Sequence, residues 1–269
     1  LTPFIFLYWY LYFLVKKKNL KNINSKFVNV YCLTKGLSNL ILNSLTILNY
    51  KLRKILSFNK PLNKIDHSEM VSEIISKKKI INNISETGYS IINEFIEKDQ
   101  IEEILKLTNN TKCSYILKDQ IIKSESIKYV PSQATIIDFD ENELLKQKII
   151  KDIIHNNFFY EIAKMYFKSV PILTNVGLRI SKISDKPGNK EAQLYHFDLD
   201  RPKWLKFFIY LNDVENLDHG PHSYIKKTHK VFSKPYKILI KRYQRISDKE
   251  IFAYYNQSNE HVIYGKAGT

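Results

Sequence analysis

The chain has 269 residues, of which 44% are hydrophobic and 26% are charged, a composition typical of folded proteins and not of disordered ones. The formal net charge of +15 would suit a nucleic-acid-binding protein, but eleven lysines and arginines and no acidic residue lie within residues 1–65. The remaining residues hold 31 basic and 27 acidic side chains, which is close to neutral. This distribution argues against a nucleic-acid partner.

The cysteines and the two chain ends also bear on the class of protein. Cys32 and Cys113 are too few for a disulfide framework and are not spaced as metal ligands, which indicates reduced thiols in a cytoplasmic protein. The chain begins with Leu1 and stops at Thr269 within a glycine-containing turn. We interpret both ends as truncations of a longer protein.

Residues 1–65 are predicted to form a basic, partly hydrophobic region that is separate from a domain at 66–269. An uncharged run at 3–15 is shorter than the roughly 20 residues of a spanning helix. It suits a membrane interface, a buried strand or an upstream extension. Residues 37–56 have helical periodicity and a basic end, which predicts a helix that lies on a membrane surface or docks on its own domain.

From residue 66 onwards, helices are predicted first and strands later. Helices are expected at 67–78, 98–107 and 143–168, the last of them broken by Pro171. Strands are expected at 89–95, directly after a turn at Gly88, and then at 176–183, 194–200, 204–211 and 261–265. This order predicts an α+β protein with a sheet-rich core.

The sequence His196-Phe197-Asp198 is the feature that points to chemistry. In a strand, His196 and Asp198 point to the same side and Phe197 points outward. An imidazole and a carboxylate at this spacing supply two corners of the facial triad that binds non-haem iron. A surface histidine beside an acidic turn is the alternative interpretation.

The next predicted strand, 204–211, has two different faces. Leu205, Phe207, Ile209 and Leu211 make one face apolar, which suits packing under helices. Lys206 lies on the other face among Trp204, Phe208 and Tyr210. A lysine among aromatic side chains indicates either an anion-binding cavity that also contains His196 and Asp198, or a position at the edge of a sheet.

The stretch 195–230 resembles the phytanoyl-CoA dioxygenase family, and 86–104 resembles the start of such domains. The resemblance covers roughly 80–269. It rests on four motifs: His196 with Asp198, Leu211-Asn212-Asp213-Val214, Gly220-Pro221 and Thr228-His229. It implies a double-stranded β-helix, or jelly roll, with flanking helices and a barrel that is incomplete at the C-terminus. Its barrel would have an open sheet edge and an empty third metal position.

The resemblance also implies an Fe(II)- and 2-oxoglutarate-dependent oxygenase that uses O2 to hydroxylate a small-molecule or lipid-like substrate. His196 and Asp198 would bind the iron. The family's third ligand and the arginine that binds 2-oxoglutarate would follow Thr269. Within the chain, Lys206 and Arg179 are the candidates for contacts with the cosubstrate. Arg179 has a structural ion pair as its alternative, and a non-catalytic jelly-roll module that has lost its iron is the alternative function.

The other histidines are predicted to have no role in metal binding. His219 and His222 flank the Gly-Pro turn and are expected to be solvated loop residues. His229 matches a family position that is not a ligand. His261 precedes the turn that should introduce the third ligand.

Overall fold

The structure, a computed structural model, describes residues 41, 43–45, 47, 48, 51, 52, 67–117, 120–182, 194–198, 203–230, 232–241 and 244–269. These residues mix helices with antiparallel strands, which is consistent with the α+β class. The helices are α1 (His67–Thr87), α2 (Lys98–Leu107), α3 (Glu141–Leu144), α4 (Lys148–Ile154), α5 (Asn157–Phe167), α6 (Tyr236–Leu239) and α7 (Asp248–Ile251). The strands are β1 (Cys113–Leu117), β2 (Gln120–Ser124), β3 (Ile136–Phe139), β4 (Arg179–Ser181), β5 (His222–Ile225) and β6 (Glu260–Ile263).

A four-stranded antiparallel sheet carries the largest hydrophobic cluster of the described residues. Its strand order is β2-β1-β3-β4. One side of α2 packs on this cluster through Ile101 and Ile104, each 3% exposed, and α3 and α4 add Leu144 and Ile149. Burial of such side chains contributes about 1.5–3 kcal/mol each, so this cluster is the main source of stability around the sheet.

The end of α1 is held against the two-stranded β5–β6 sheet. Gly88, at φ +103°, follows the helix, and a Cβ placed there would collide with Tyr224 Oη and lie 2.6 Å from His229 Nδ1. The Tyr89 ring contacts Tyr224 at 5.3 Å and stacks on His261 at 5.1 Å. A residue without a side chain is therefore required where the helix meets the sheet.

The segment 203–211 runs between clusters and packs one face partly against them. Leu205 packs beside α1 and α5, and Phe207 meets the Phe159 ring at 4.9 Å. Ile209 and Leu211 pack on the cluster of the four-stranded sheet. The apolar face predicted for this segment makes the expected packing contacts, but Phe207 remains 42% exposed.

Tyr210 joins this segment to its surroundings through backbone and side chain. Its backbone N–H donates to Thr269 O at 2.9 Å, and its carbonyl accepts from Gly268 N at 2.7 Å. Its hydroxyl donates to Ile263 O at 2.9 Å and accepts from His222 N at 3.1 Å. One hydroxyl thus holds the end of the β5–β6 sheet to the segment.

Several predicted element boundaries are wrong for local reasons. Residues 89–95 form turns and bends and not a strand, and α1 runs on to Thr87. The predicted helical stretch 143–168 is three helices, because Asn156 caps a new N-terminus by accepting from Phe158 N. The last of the three ends at Lys168, at φ +53°, before Pro171 is reached.

The strand predictions are correct only in part. Segments 176–183, 194–200 and 204–211 contain one described strand, β4. Tyr195 forms only an isolated bridge with Ile246. Strands β1, β2, β3 and β5 lie where none was predicted, while β6 overlaps the predicted 261–265. The described residues therefore do not define a closed barrel.

The N-terminal predictions are only partly covered by the structure. The run at 3–15 lies outside the described residues, and those between 41 and 52 are helical. Among the described residues, no helix combines the length and apolar character that crossing a membrane requires.

We expect Gly88→Ala to lower the free energy of unfolding by about 2–4 kcal/mol, because the new methyl group is strained at positive φ and overlaps Tyr224 and His229. Urea unfolding monitored by circular dichroism measures the change. Gly177→Ala is the matched control, since its Cβ would meet no atom within 4 Å. Equal stability of the two variants would show that α1 does not dock at Gly88.

Candidate metal centre

His196 and Asp198 converge on one point, as the spacing predicts. His196 Nε2 and Asp198 Oδ1 lie 3.9 Å apart, and the two side chains are 25% and 23% exposed. Two atoms with bonds of about 2 Å to one ion are at most about 4 Å apart. Both side chains can therefore reach a shared divalent ion.

The tautomer of His196 also fits a metal ligand. Its Nδ1 lies 2.9 Å from the carbonyl oxygen of Leu194, so Nδ1–H donates to that carbonyl and the lone pair stays on Nε2. Metal-binding histidines commonly donate their other ring N–H to a carbonyl or carboxylate. Nε2, the ring nitrogen nearer Asp198, is thus the atom whose lone pair can bind a cation.

The neighbours of these two residues point to the opposite side and fix the segment. Tyr195 and Phe197 pack on a cluster made by β5, α6 and α7, so Phe197 is not directed outward as predicted. The Tyr195 hydroxyl donates to Glu260, which also accepts from Ser223 Oγ at 3.0 Å. Burial and the Glu260 carboxylate raise the pKa of Tyr195 well above its usual value. These contacts on one side leave His196 and Asp198 to face the other.

Lys206 lies directly beside the candidate metal ligands. Its Nζ is 2.5 Å from Asp198 Oδ2, and it stands 5.1 Å from the centre of the Trp204 ring. The Lys206 side chain is 46% exposed, so solvent can reach the ammonium group. In this arrangement the ammonium group neutralises the carboxylate that a metal ion would bind.

Arg179 is placed elsewhere in the molecule. It forms a two-bond ion pair with Asp138, at 2.6 Å and 2.8 Å, across the β3–β4 pair. This is the structural ion pair that the sequence left open as its alternative. The guanidinium group is engaged on the four-stranded sheet and is not brought to His196 and Asp198.

The other described histidines differ in their surroundings. His229 Nε2 contacts Ser85 O at 3.2 Å, and His261 stacks on Tyr89. Both Nδ1 atoms are buried without a hydrogen bond, and desolvation lowers the pKa of both rings. His219 accepts from Glu215 N at 3.2 Å within its own turn. In the described ranges, no three His, Cys, Asp or Glu side chains form a group that could hold a metal ion.

His222 is the residue near the site that the sequence did not identify. It begins β5 instead of lying in a loop, and its ring stands 5.0 Å from the Phe208 ring. Desolvation lowers the pKa of His222 most, and the charges of His196 and Lys206 lower it further. The stretch 222–225, His-Ser-Tyr-Ile, does not alternate between polar and apolar residues, so the sequence carried no clear signal for this strand.

The comparison with known proteins gives no match: no family model, curated protein or solved structure is significantly similar to this chain.

Proposed function

We propose that the protein is an Fe(II)- and 2-oxoglutarate-dependent oxygenase with a double-stranded β-helix domain similar to phytanoyl-CoA dioxygenase. The observation that carries the proposal is the convergence of His196 Nε2 and Asp198 Oδ1 at 3.9 Å, with the histidine N–H directed to a backbone carbonyl. Adjacent ligands of a facial triad lie about 3 Å apart when each bond to the metal is about 2 Å, so the proposal requires these two atoms to approach by roughly 1 Å when an ion binds.

Iron in such a centre supplies oxygen activation that is coupled to decarboxylation of 2-oxoglutarate. His196 and Asp198 hold it, and Lys206 contributes a positive charge beside it. The negative charge of Asp198 and the positive charge of Lys206 cancel. The two positive charges of a bound Fe(II) ion would then be balanced by the two carboxylates of 2-oxoglutarate. Such balance favours binding because partly buried charge without a counter-charge is costly.

The substrate proposed is a small or lipid-like molecule. The side of 203–211 that carries Lys206 also exposes apolar rings, with Trp204 36% and Phe208 62% exposed. An apolar molecule can lie against these rings beside the iron ligands. Arg179 remains a weaker candidate for the cosubstrate, since it would first have to leave Asp138.

A non-catalytic binding module is the second candidate function. The ion pair between Lys206 and Asp198 favours it, because the pair satisfies the carboxylate without any metal. The two functions differ in whether the protein binds a divalent ion at Asp198.

We expect Asp198→Ala to weaken Fe(II) binding by more than about 100-fold, since loss of a ligand costs more than loss of a group that only supports one. Lys206→Met should bind Fe(II) at least as tightly as the unaltered protein, because the ammonium group no longer competes for Asp198. Anaerobic titration of the metal-free protein with Fe(II) measures both affinities.

Asp138→Ala is the matched control, because it removes a carboxylate that pairs with Arg179 away from the site. Its Fe(II) affinity should equal that of the unaltered protein. If Asp198→Ala binds Fe(II) as well as this control, His196 and Asp198 are not the metal site. If the unaltered protein binds no Fe(II), the binding-module function is favoured.

We also propose that residues 1–65 contact an anionic membrane surface. Leu45, Leu48 and Leu52 lie on helical residues and are 43%, 53% and 50% exposed, beside the exposed Lys51. Apolar side chains with flanking lysines favour the lipid interface.

Replacing Leu45, Leu48 and Leu52 with serine should abolish co-sedimentation with vesicles of phosphatidylcholine and phosphatidylserine, because the apolar contact with the lipid is lost. Leu105→Ser is the control, as Leu105 is 41% exposed on α2. Equal sedimentation of the triple variant and the control would contradict membrane contact through this helix.

A further inference from the structure

Among the described residues, His222 is contacted through its backbone and through one face of its ring. The turn at Gly220, which has φ +69°, and Pro221 delivers it to the first position of β5. Its backbone N–H donates to the Tyr210 hydroxyl at 3.1 Å, and its ring meets Phe208 at 5.0 Å. The position of the side chain is therefore determined by the segment 203–211.

Lys206 lies on the same side of that segment as Phe208 and Tyr210, the two residues that contact His222. Residues two apart in an extended chain point the same way and lie about 7 Å from each other. Phe208 and Tyr210, which His222 contacts, share a face with Lys206 for this reason. Lys206 is joined to Asp198 at 2.5 Å, and His196, Lys206 and Asp198 all influence the pKa of His222. His222 therefore stands near the candidate metal centre.

The His222 ring lies within electrostatic range of Lys206 and Asp198. Desolvation lowers its pKa most, Lys206 lowers it further and Asp198 raises it. The ring is neutral at pH 7 as a result and presents one N–H donor. A neutral ring with an N–H donor near an ammonium group is suited to a carboxylate.

The ring nitrogens of His222 form no hydrogen bond with any residue in the part of the chain that the structure describes. His222 is accessible to solvent as a residue, although neighbouring atoms, among them the Phe208 ring, desolvate part of its imidazole. The N–H group is available to a ligand that lies over Lys206 and Phe208.

We propose that His222 is a further binding residue of the candidate metal centre, and that its ring N–H donates a hydrogen bond to a carboxylate of the anion that binds beside Lys206. This inference rests on the proposed function and assigns the new role to one residue of β5. The anion it names is a dicarboxylate such as 2-oxoglutarate, and His222 takes no part in holding the metal.

Calorimetric titration of the protein with Mn(II), and then of the Mn(II)-loaded protein with 2-oxoglutarate, tests this role. His222→Ala should raise the dissociation constant for 2-oxoglutarate about tenfold, the usual effect of losing one hydrogen bond to a charged group. The dissociation constant for Mn(II) should stay within about twofold. His222→Gln, which keeps an N–H donor, should recover most of the affinity.

His219→Ala is the matched control, because His219 lies three residues earlier and is bonded to its own turn. It should leave both dissociation constants unchanged. An unchanged 2-oxoglutarate affinity in His222→Ala and His222→Gln, with normal Mn(II) binding, overturns the role of His222 alone. Failure of the unaltered protein to bind Mn(II) overturns the proposed function and this inference together.

Discussion

The packing of one face of the segment 203–211 is the constraint on which the candidate site depends. Leu205, Phe207, Ile209 and Leu211 contact helices and the four-stranded sheet, which fixes the direction of the side chains between them. Lys206 and Phe208 then face the opposite side. A shift of one residue would turn the lysine towards the hydrophobic clusters and remove the apolar contacts, at a cost of several kcal/mol.

A second segment, 194–198, meets the first under the same constraint. Tyr195 and Phe197 are held by the cluster of β5, α6 and α7, so His196 and Asp198 turn towards Lys206. Two segments thus form the site, and in each the side chains that alternate with the site residues hold the segment in place. Substituting these packing side chains should disturb the site although they do not contact a metal ion.

The pairing of Lys206 with Asp198 has a chemical consequence for metal binding. Lys206 pairs with Asp198 Oδ2, while Oδ1 faces His196. Under the proposed function, a divalent ion bound at Oδ1 would draw negative charge from the carboxylate and weaken its ion pair with Lys206. The ammonium group could then meet an anion. Metal and anion would bind with positive cooperativity. The metal would weaken the ion pair that occupies Lys206, and the anion would supply the counter-charge that the ammonium group then lacks.

Period-two alternation predicted which side chains lie together in two segments, because it depends only on local geometry. It placed His196 beside Asp198 and the apolar side chains of 204–211 towards the helices and the four-stranded sheet, although neither segment forms the strand that was predicted. The partners of the segment 203–211 could not be predicted, because Tyr210 pairs with Gly268 and Thr269, far away in sequence. His222 was missed for the same reason, since only the fold brings β5 next to Phe208. The helix predicted at 67–78 continues to Thr87 as α1. The sequence indicated a turn at Gly88, but it could not show that Tyr224 and His229 occupy the space that a side chain would need there.

Crystals of the protein grown with Mn(II) would test the central claim most directly, through anomalous scattering collected near the manganese absorption edge. The account predicts one strong peak about 2.0–2.3 Å from His196 Nε2 and from a carboxylate oxygen of Asp198. Lys206 Nζ should have moved away from Asp198. A map with no peak at these atoms at saturating Mn(II), and with the ion pair between Lys206 and Asp198 intact, would contradict it.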